Sequence, residues 1–335
     1  MTARAARTLS LLLLALPLAG CAVQGVQSSL QAAADQSRAI DQVWTLMLWV
    51  CSAIYVAVIA ALAWAIWRRR RAVQREGRTR DPLLARALAA WVVLVVGLLS
   101  WFVAASFLAD RRLHAGHADL EIRVTAKQWW WQVEYLSPQP DQQFSTANEL
   151  RLPRDQTARI ELLSGDVIHS FWVPALSGKE DLIPGYSNAV LLTPRRAGRY
   201  RGQCAEFCGL QHAQMALDVE VLDAAGFAAW RARQLAPAPA PSDAHALRGA
   251  QLFLGSACAS CHAVRGTSAA SRLGPDLTHL ASRRALAAGA LPMRREALRA
   301  WLADPQHAKP GNQMPQVPLD PRDRELLLDY LMGLR

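Results

Sequence analysis

Cys204-Ala205-Glu206-Phe207-Cys208-Gly209-Leu210-Gln211-His212-Ala213-Gln214-Met215 puts two thiols, a carboxylate, an imidazole and a thioether within twelve residues. Soft sulfur with imidazole selects copper, zinc or iron over magnesium or calcium. One blue-copper ion uses a single Cys, two His and a weak axial Met. This run offers more than that once His169 is added from Asp166-Val167-Ile168-His169-Ser170-Phe171-Trp172-Val173-Pro174. Two bridging thiolates could instead hold two copper ions. Structural zinc is the alternative, since Cys204, Cys208, His169 and His212 make a Cys2His2 set. Zinc would leave Met215 and Glu206 idle.

The surroundings of that run read as β structure. Short β-rich stretches occur at Leu120–Ala126, Trp129–Tyr135, Arg159–Leu163, Ala189–Leu192 and Ala216–Val221, separated by Gly, Pro and Asp/Asn clusters. The pattern predicts an all-β sandwich or barrel over residues 118–232. A rigid frame of this kind presents ligands from its loops. It also limits reorganisation when a metal changes oxidation state.

Upstream, Arg4 and Arg7 precede the apolar run Leu9–Leu18, which ends in Leu18-Ala19-Gly20-Cys21. Basic, apolar, then small residues is the order of a secretory signal peptide, here 1–20. The ending resembles a bacterial lipoprotein signal, which implies an acylated Cys21 and a contact with membrane lipid. A segment 21–42 on the outer side follows, then two apolar stretches, Val43–Trp67 and Ala87–Leu108. Each is long enough to cross hydrocarbon, which needs about 20 residues, so 43–110 reads as a transmembrane hairpin. The loop 68–82 carries arginines at 68, 69, 70, 71, 75, 78 and 80. By the positive-inside rule that loop is cytoplasmic, and everything after the second span faces outward.

Downstream, 233–241 is an Ala/Pro linker, of a composition that favours extended spacing. Residues 242–335 read as helical, with helices at 247–253 and 326–334. Cys258-Ala259-Ser260-Cys261-His262 is the attachment signature of covalently bound haem c. The thiols anchor the porphyrin and His262 becomes the proximal iron ligand. Met293, Met314 and Met332 compete for the sixth position. Met314 lies in the irregular run Lys309-Pro310-Gly311-Asn312-Gln313-Met314-Pro315 and is chosen, since Met293 and Met332 read as packing residues. A Met/His pair raises the reduction potential. His279 and His307 read as surface residues.

Two stretches of this chain resemble known families. Lys127-Gln128-Trp129-Trp130-Trp131, the His169 run, Lys179-Glu180-Asp181-Leu182-Ile183-Pro184-Gly185 and the Cys204–Met215 run resemble subunit II of the haem-copper oxidases. The C-terminal order, with Gly274-Pro275-Asp276-Leu277 as the loop supporting the proximal His, resembles a class I cytochrome c. The resemblance implies a multi-domain membrane protein: a two-helix transmembrane hairpin, an all-β cupredoxin-like domain and an all-α cytochrome c domain. It implies a dinuclear copper centre, CuA, in which Cys204 and Cys208 bridge both ions. His169, His212, Met215 and the Glu206 backbone carbonyl are then terminal ligands. It further implies magnesium at a subunit interface through the Glu206 side chain, and Trp129 as the exposed residue where electrons enter. The partners implied are a catalytic subunit I and other oxidase subunits. The donor would be a soluble or membrane cytochrome c or an upstream quinol-oxidising complex. The expected activity is that of the electron-accepting subunit of a proton-translocating cytochrome c oxidase in the bacterial inner membrane, with no oxygen-reducing site on this chain. The family's Glu near the start of the second span is missing here; Asp81 is the nearest carboxylate in Asp81-Pro82-Leu83-Leu84.

Composition narrows the alternatives. The net charge of +10 sits largely in the arginine block, so nucleic-acid binding is a poor reading of it. Residues 118–232 carry 11 Lys/Arg and 14 Asp/Glu, and residues 244–335 carry 12 and 7. Opposite net charges favour docking of the haem domain on the copper domain. There are three rival functions: a partner of a CuA-containing nitric oxide reductase, a nitrous oxide reductase, which the two spans and Glu206 argue against, and a free membrane-tethered electron carrier. The identity of the companion subunit decides the first, and copurification with a multi-span, haem-bearing partner decides the last.

Overall fold

The computed structural model describes residues 25–71, 82–113 and 116–335. The expected signal peptide with Cys21 and the arginine-rich stretch 72–81 with Asp81 lie outside the described residues.

Two long helices cover the apolar stretches: α1 (Asp35–Arg71) and α2 (Pro82–Leu113). Both are long and apolar enough to cross a membrane. Trp49, Tyr55, Val93 and Val103 are among many large apolar side chains they expose. A helix that is apolar on every side is stable only in hydrocarbon or in a core.

The remaining described residues form a β domain and a helical domain. The first sheet of the β domain has the order β3-β2-β1-β5-β8. Its strands are β1 (Leu120–Lys127), β2 (Trp130–Leu136), β3 (Phe144–Ala147), β5 (Ala158–Ser164) and β8 (Asn188–Leu192). Alternation fixes the register. Ile122, Val124 and Ala126 of β1 are fully buried, while their neighbours are half exposed. Val124 pairs with Val133 on β2, and Ile122 pairs with Ile160 on the parallel strand β5. The second sheet has the order β4-β10-β9, from β4 (Glu149–Pro153), β9 (Gly198–Gln203) and β10 (Ala216–Leu222). Its inward residues Leu150, Leu152, Leu217 and Val219 join those of the first sheet in one core. Each fully buried aliphatic side chain of this kind contributes roughly 1.5–3 kcal/mol. A short ribbon completes the domain, β6 (His169–Phe171) with β7 (Glu180–Leu182). Residues 33–37 also belong here: Ala33 and Ala34 are fully buried, and Asp35 accepts two hydrogen bonds from Arg195 at 2.9 and 2.6 Å.

Helix α3 (Ala224–Leu235) was not expected from sequence. Asp223 caps it by accepting from the Gly226 amide, and it buries Phe227 and Trp230. Trp230 meets Tyr135 edge-on at 5.1 Å, and Tyr135 stacks on Phe144 at 4.6 Å. Such pairs contribute about 0.5–1.5 kcal/mol beyond area. The expected linker 233–241 is therefore helical over its first three residues, because the β core supplies an apolar face for them to continue along.

The helical domain crosses α4 (Ala244–Gly255) against α8 (Pro321–Gly333). Gly249 permits the crossing: a Cβ there would stand 2.0 Å from the Leu326 carbonyl oxygen. Phe253 meets Tyr330 at 5.7 Å in the core of this domain. Between them lie α5 (Cys258–Cys261), the ribbon β11 (Ala285–Leu286) with β12 (Leu291–Pro292), α6 (Arg295–Ala303) and α7 (Pro305–Ala308). Met293 and Met332 pack against the core as expected. His279 does not lie on the surface. It is 5% exposed, with Nδ1 3.0 Å from the Arg335 carbonyl oxygen and Nε2 3.2 Å from that of Ala236. The C-terminal residue and the linker fold over it, which no local pattern announces.

The two domains are docked. Glu149 on β4 with Asp218 and Glu220 on β10 put three carboxylates around the buried Arg151, at 3.0, 2.9 and 3.3 Å. One guanidinium cannot balance three carboxylates in a poorly solvated place. The helical domain supplies two more: Arg284 reaches Glu220 at 2.8 Å and Asp218 at 3.4 Å, and Arg283 lies 3.9 Å from Glu149. The opposite net charges of the two segments thus meet in specific pairs.

Candidate electron-transfer centre

The run 204–215 is the loop of a hairpin. Gln203 ends β9 opposite Ala216, which begins β10. The Cys204 amide donates to the Met215 carbonyl at 3.0 Å and closes the loop on itself. The Ala205 amide donates to the Ser170 carbonyl at 3.0 Å, which draws the start of β6, and with it His169, to the loop. Two sequence segments more than thirty residues apart are joined by backbone hydrogen bonds.

The donor atoms converge. Ligand atoms of His169, Cys204 and Cys208 all lie within 4.8 Å of one another. The two sulfurs are 3.8 Å apart. Cys204 Sγ has His169 Nδ1 at 3.8 Å and the Glu206 carbonyl oxygen at 3.2 Å. Cys208 Sγ has His212 Nδ1 at 3.6 Å and Met215 Sδ at 3.9 Å. Each thiol therefore has one imidazole nitrogen and one weaker donor beside it. Cys204, Cys208, His169 and Met215 are all buried. This donor set fits a soft redox metal pair and gives Met215 and Glu206 work that zinc would not.

Electrostatics prepare the sulfurs. Hydrogen bonding to Cys208, with His169 and backbone contacts, pulls the Cys204 thiol well below the usual range. Cys208, facing that thiolate, is pushed up. A bound cation would favour the thiolate form of both. Burial pulls His169 down, but its contacts with Cys204 and Asp166 outweigh this and raise it. Asp166 was not singled out from sequence as a site residue. Its Oδ1 sits 2.7 Å from His169 Nε2, and it accepts from the Gln128 and Val167 amides at 2.6 and 2.7 Å. It orients the imidazole so that Nδ1 points at Cys204. The spacing Asp166–His169 was the available signal.

Trp129 joins the centre. Its Nε1–H donates to the Cys208 carbonyl at 2.9 Å, and Gln128 Nε2 donates to the same oxygen at 2.8 Å. On one point it departs from expectation: Trp129 is 9% exposed, not open to solvent. Residues 309–311 of the helical domain cover it. Trp130 stays half-buried under Lys127, whose Nζ is 5.0 Å from the ring centre. Trp131 is buried edge-on to Phe171 at 6.3 Å. The Glu206 side chain is 44% exposed, with Lys179 Nζ at 3.9 Å, so a cationic group already faces the carboxylate expected to reach magnesium.

In the helical domain, α5 is the single turn that holds Cys258 and Cys261, and His262 follows it. His262 Nδ1 is 2.7 Å from the Pro275 carbonyl oxygen, which leaves Nε2 for iron. Burial lowers this imidazole, which favours the neutral form that a metal would need. Gly274 lies flat against the ring: a Cβ there would be 2.7 Å from His262 Cε1. Met314 is half-buried between α7 and α8, its amide donating to Asn312 Oδ1 at 2.8 Å and its carbonyl accepting from Gln306 at 3.1 Å. These residues fit a covalently attached haem. His307 lies on the short helix α7 and is exposed, as expected.

Comparison with known proteins agrees with both halves. Residues 136–222 match the family described as "Cytochrome C oxidase subunit II, periplasmic domain", and residues 246–335 match "Cytochrome c". The chain is 32% identical to the "Cytochrome c oxidase subunit 2" of Alkalihalophilus pseudofirmus, over 99% of this chain and 97% of that one. It is 34% identical to the protein of the same name from Bacillus subtilis, over 73% of this chain and 70% of that one. Among solved structures, the periplasmic domain of subunit II of the Bradyrhizobium japonicum cytochrome oxidase is 32% identical, covering 36% of this chain and 95% of that one, with a TM-score of 0.33. Full-length similarity on one side and paired sulfur and haem motifs on the other lead to one conclusion: the chain belongs to the cytochrome c oxidase subunit 2 family and carries a cytochrome c domain.

Proposed function

We propose that this chain is the electron-accepting subunit of a terminal oxidase in a bacterial inner membrane, taking electrons at haem c and delivering them through a copper pair to an oxygen-reducing partner subunit. Bound haem and copper would supply the redox chemistry, one electron at a time. The chain's own residues would hold and tune them. Cys258 and Cys261 would anchor the porphyrin, and His262 and Met314 would hold its iron. Cys204, Cys208, His169, His212, Met215 and the Glu206 carbonyl would hold the two copper ions. Both soluble domains would face the periplasm, on the far side from the arginine-rich loop. A magnesium ion at Glu206 would require displacement of Lys179 when the catalytic subunit docks.

The observation that carries this reading is the arrangement of donors. Each of two buried thiols has its own imidazole and its own weaker donor, and the loop that bears them is hydrogen-bonded to an indole lying under the haem domain. Metal analysis with optical and EPR spectroscopy of the purified complex tests it. The expected result is low-spin haem c with a mixed-valence copper pair, two coppers per chain, and oxygen consumption by the companion subunit. One copper or none in fully matured protein overturns the assignment.

A further inference from the structure

Lys309 is a cation where none is expected. It is 2% exposed. Its Nζ donates to the carbonyl oxygens of Trp129 at 2.7 Å, Gln214 at 2.9 Å and Ala287 at 2.9 Å. An ammonium has three donors, and here each has an acceptor. The acceptors come from three places: the turn before β2, the copper-binding loop next to Met215, and the turn between β11 and β12. Neighbouring contacts reinforce the join. Gln211 Nε2 donates to the Pro310 carbonyl at 2.7 Å. Gly311, at φ +79°, brings its backbone close enough that a Cβ would stand 3.7 Å from the Trp129 ring and 3.0 Å from Leu210. Met314 follows three residues later in the same loop.

We propose that Lys309 is a positioning residue that fastens the haem-bearing loop over Trp129, committing this indole to internal transfer from the chain's own haem domain and closing it to a soluble donor. An external donor must then address the haem domain, not the copper domain. The inference rests on the proposed function. The transfer it concerns moves one electron, from ferrous haem iron to the oxidised copper pair, with no bond made or broken. Burial pulls the Lys309 ammonium down to about 8, which leaves it charged at neutral pH with all three donors available. A neutral replacement would strip the donor from three carbonyls at once, and leaving buried carbonyls unserved is costly.

The test uses the full chain in its oxidase complex with both cofactors loaded. Hydroxyl-radical footprinting reads Trp129, with half-buried Trp130 as the internal reference. Trp129 is expected to be protected in the wild type. In Lys309→Met its reactivity should rise to that of Trp130. The haem and copper spectra should stay unchanged, and haem-to-copper transfer should slow by about tenfold. Gly311→Val, which wedges a side chain against Leu210 without touching the charge, should expose Trp129 in the same way should Lys309→Met fail to assemble. Wild-type Trp129 as reactive as Trp130 overturns the proposal, and so does a Lys309→Met protein with protection and transfer rate both intact. The footprint does not depend on electron flow. A wild type that protects Trp129 but lacks the copper pair refutes the functional reading and leaves the docking geometry standing.

Discussion

The indole Nε1–H of Trp129 donates to the backbone carbonyl of Cys208 at 2.9 Å, so the residue beneath the haem domain is hydrogen-bonded to a residue that carries one of the two central sulfurs. Trp129→Phe keeps an aromatic side chain but removes the donor and trims the indole to a smaller ring. Gln128 still serves the same oxygen, so the lost hydrogen bond matters little and the void beside the phenyl sets the stability cost, about 1–3 kcal/mol. The copper spectrum should be unchanged, while transfer into the copper pair slows by about tenfold. Flash-induced reduction kinetics on the loaded complex read this directly; a variant as fast as wild type removes Trp129 from the route.

Asp166 should matter through His169. Asp166→Asn replaces the carboxylate that faces Nε2 and weakens its hold on the imidazole. Loss of a partner of this kind lowers metal affinity by about 10–100-fold. Chelator titration of the copper-loaded protein measures it, and retention equal to wild type would show that the backbone alone orients the ring.

Gly274 is required by contact, not by dihedral angle. Gly274→Ala would place a methyl group 2.7 Å from His262 Cε1 and 2.9 Å from Nδ1. The ring must move or the loop must open, at a cost of about 1–3 kcal/mol. The hydrogen bond to Pro275 should be lost, and the low-spin haem spectrum should be perturbed. Thermal melting followed in the haem absorption band checks both effects, and an unaltered spectrum with an unaltered melting temperature contradicts the packing argument.

One carboxylate gives the haem domain an acid dependence. The guanidiniums of Arg299 and Arg295 hold the Glu325 carboxyl down to about 2, while an unfolded chain has about 4.3. A carboxylate depressed in the fold contributes its full stabilisation above the unfolded value and loses it as pH falls toward the folded one. The pair is exposed, so the effect is modest. Glu325→Gln should flatten part of the stability slope between about pH 4.5 and pH 2, because it slightly lowers the neutral plateau and meets the wild type near pH 2. Acid titrations monitored by haem circular dichroism compare the two proteins; parallel slopes would count against the ion pair.

Much of the centre was legible because its donors are close in sequence. Cys204, Glu206, Cys208, His212 and Met215 share one hairpin loop, and Cys258 and Cys261 share one helical turn that His262 follows directly. Strands with clean alternation, such as β1 and β2, were legible too. Strands β3, β4, β6 and β7 were not: they are short, or buried along their whole length like β4. Strand β9 alternates in burial, but its sequence Gly-Arg-Tyr-Arg-Gly-Gln puts glycine beside Tyr200 on the inward side and shows no apolar alternation. Helix α3 escaped because its apolar face is only Phe227, Trp230 and a few neighbours.

Sequence alone decided which chemistry the chain bears, since ligand type and short-range spacing are local properties that survive any fold. It also decided the two apolar spans, whose length and composition need no partner to interpret. Only the tertiary structure decided what lies against what. It buried Trp129, gave Lys309 three carbonyls from separate segments, brought His169 to the Cys204 loop, and matched Arg283 and Arg284 to the carboxylates around Arg151. Each of these depends on backbone segments brought together by a shared core. Burial and partnership arise only when distant residues compete for the same small volume, and no linear spacing encodes that.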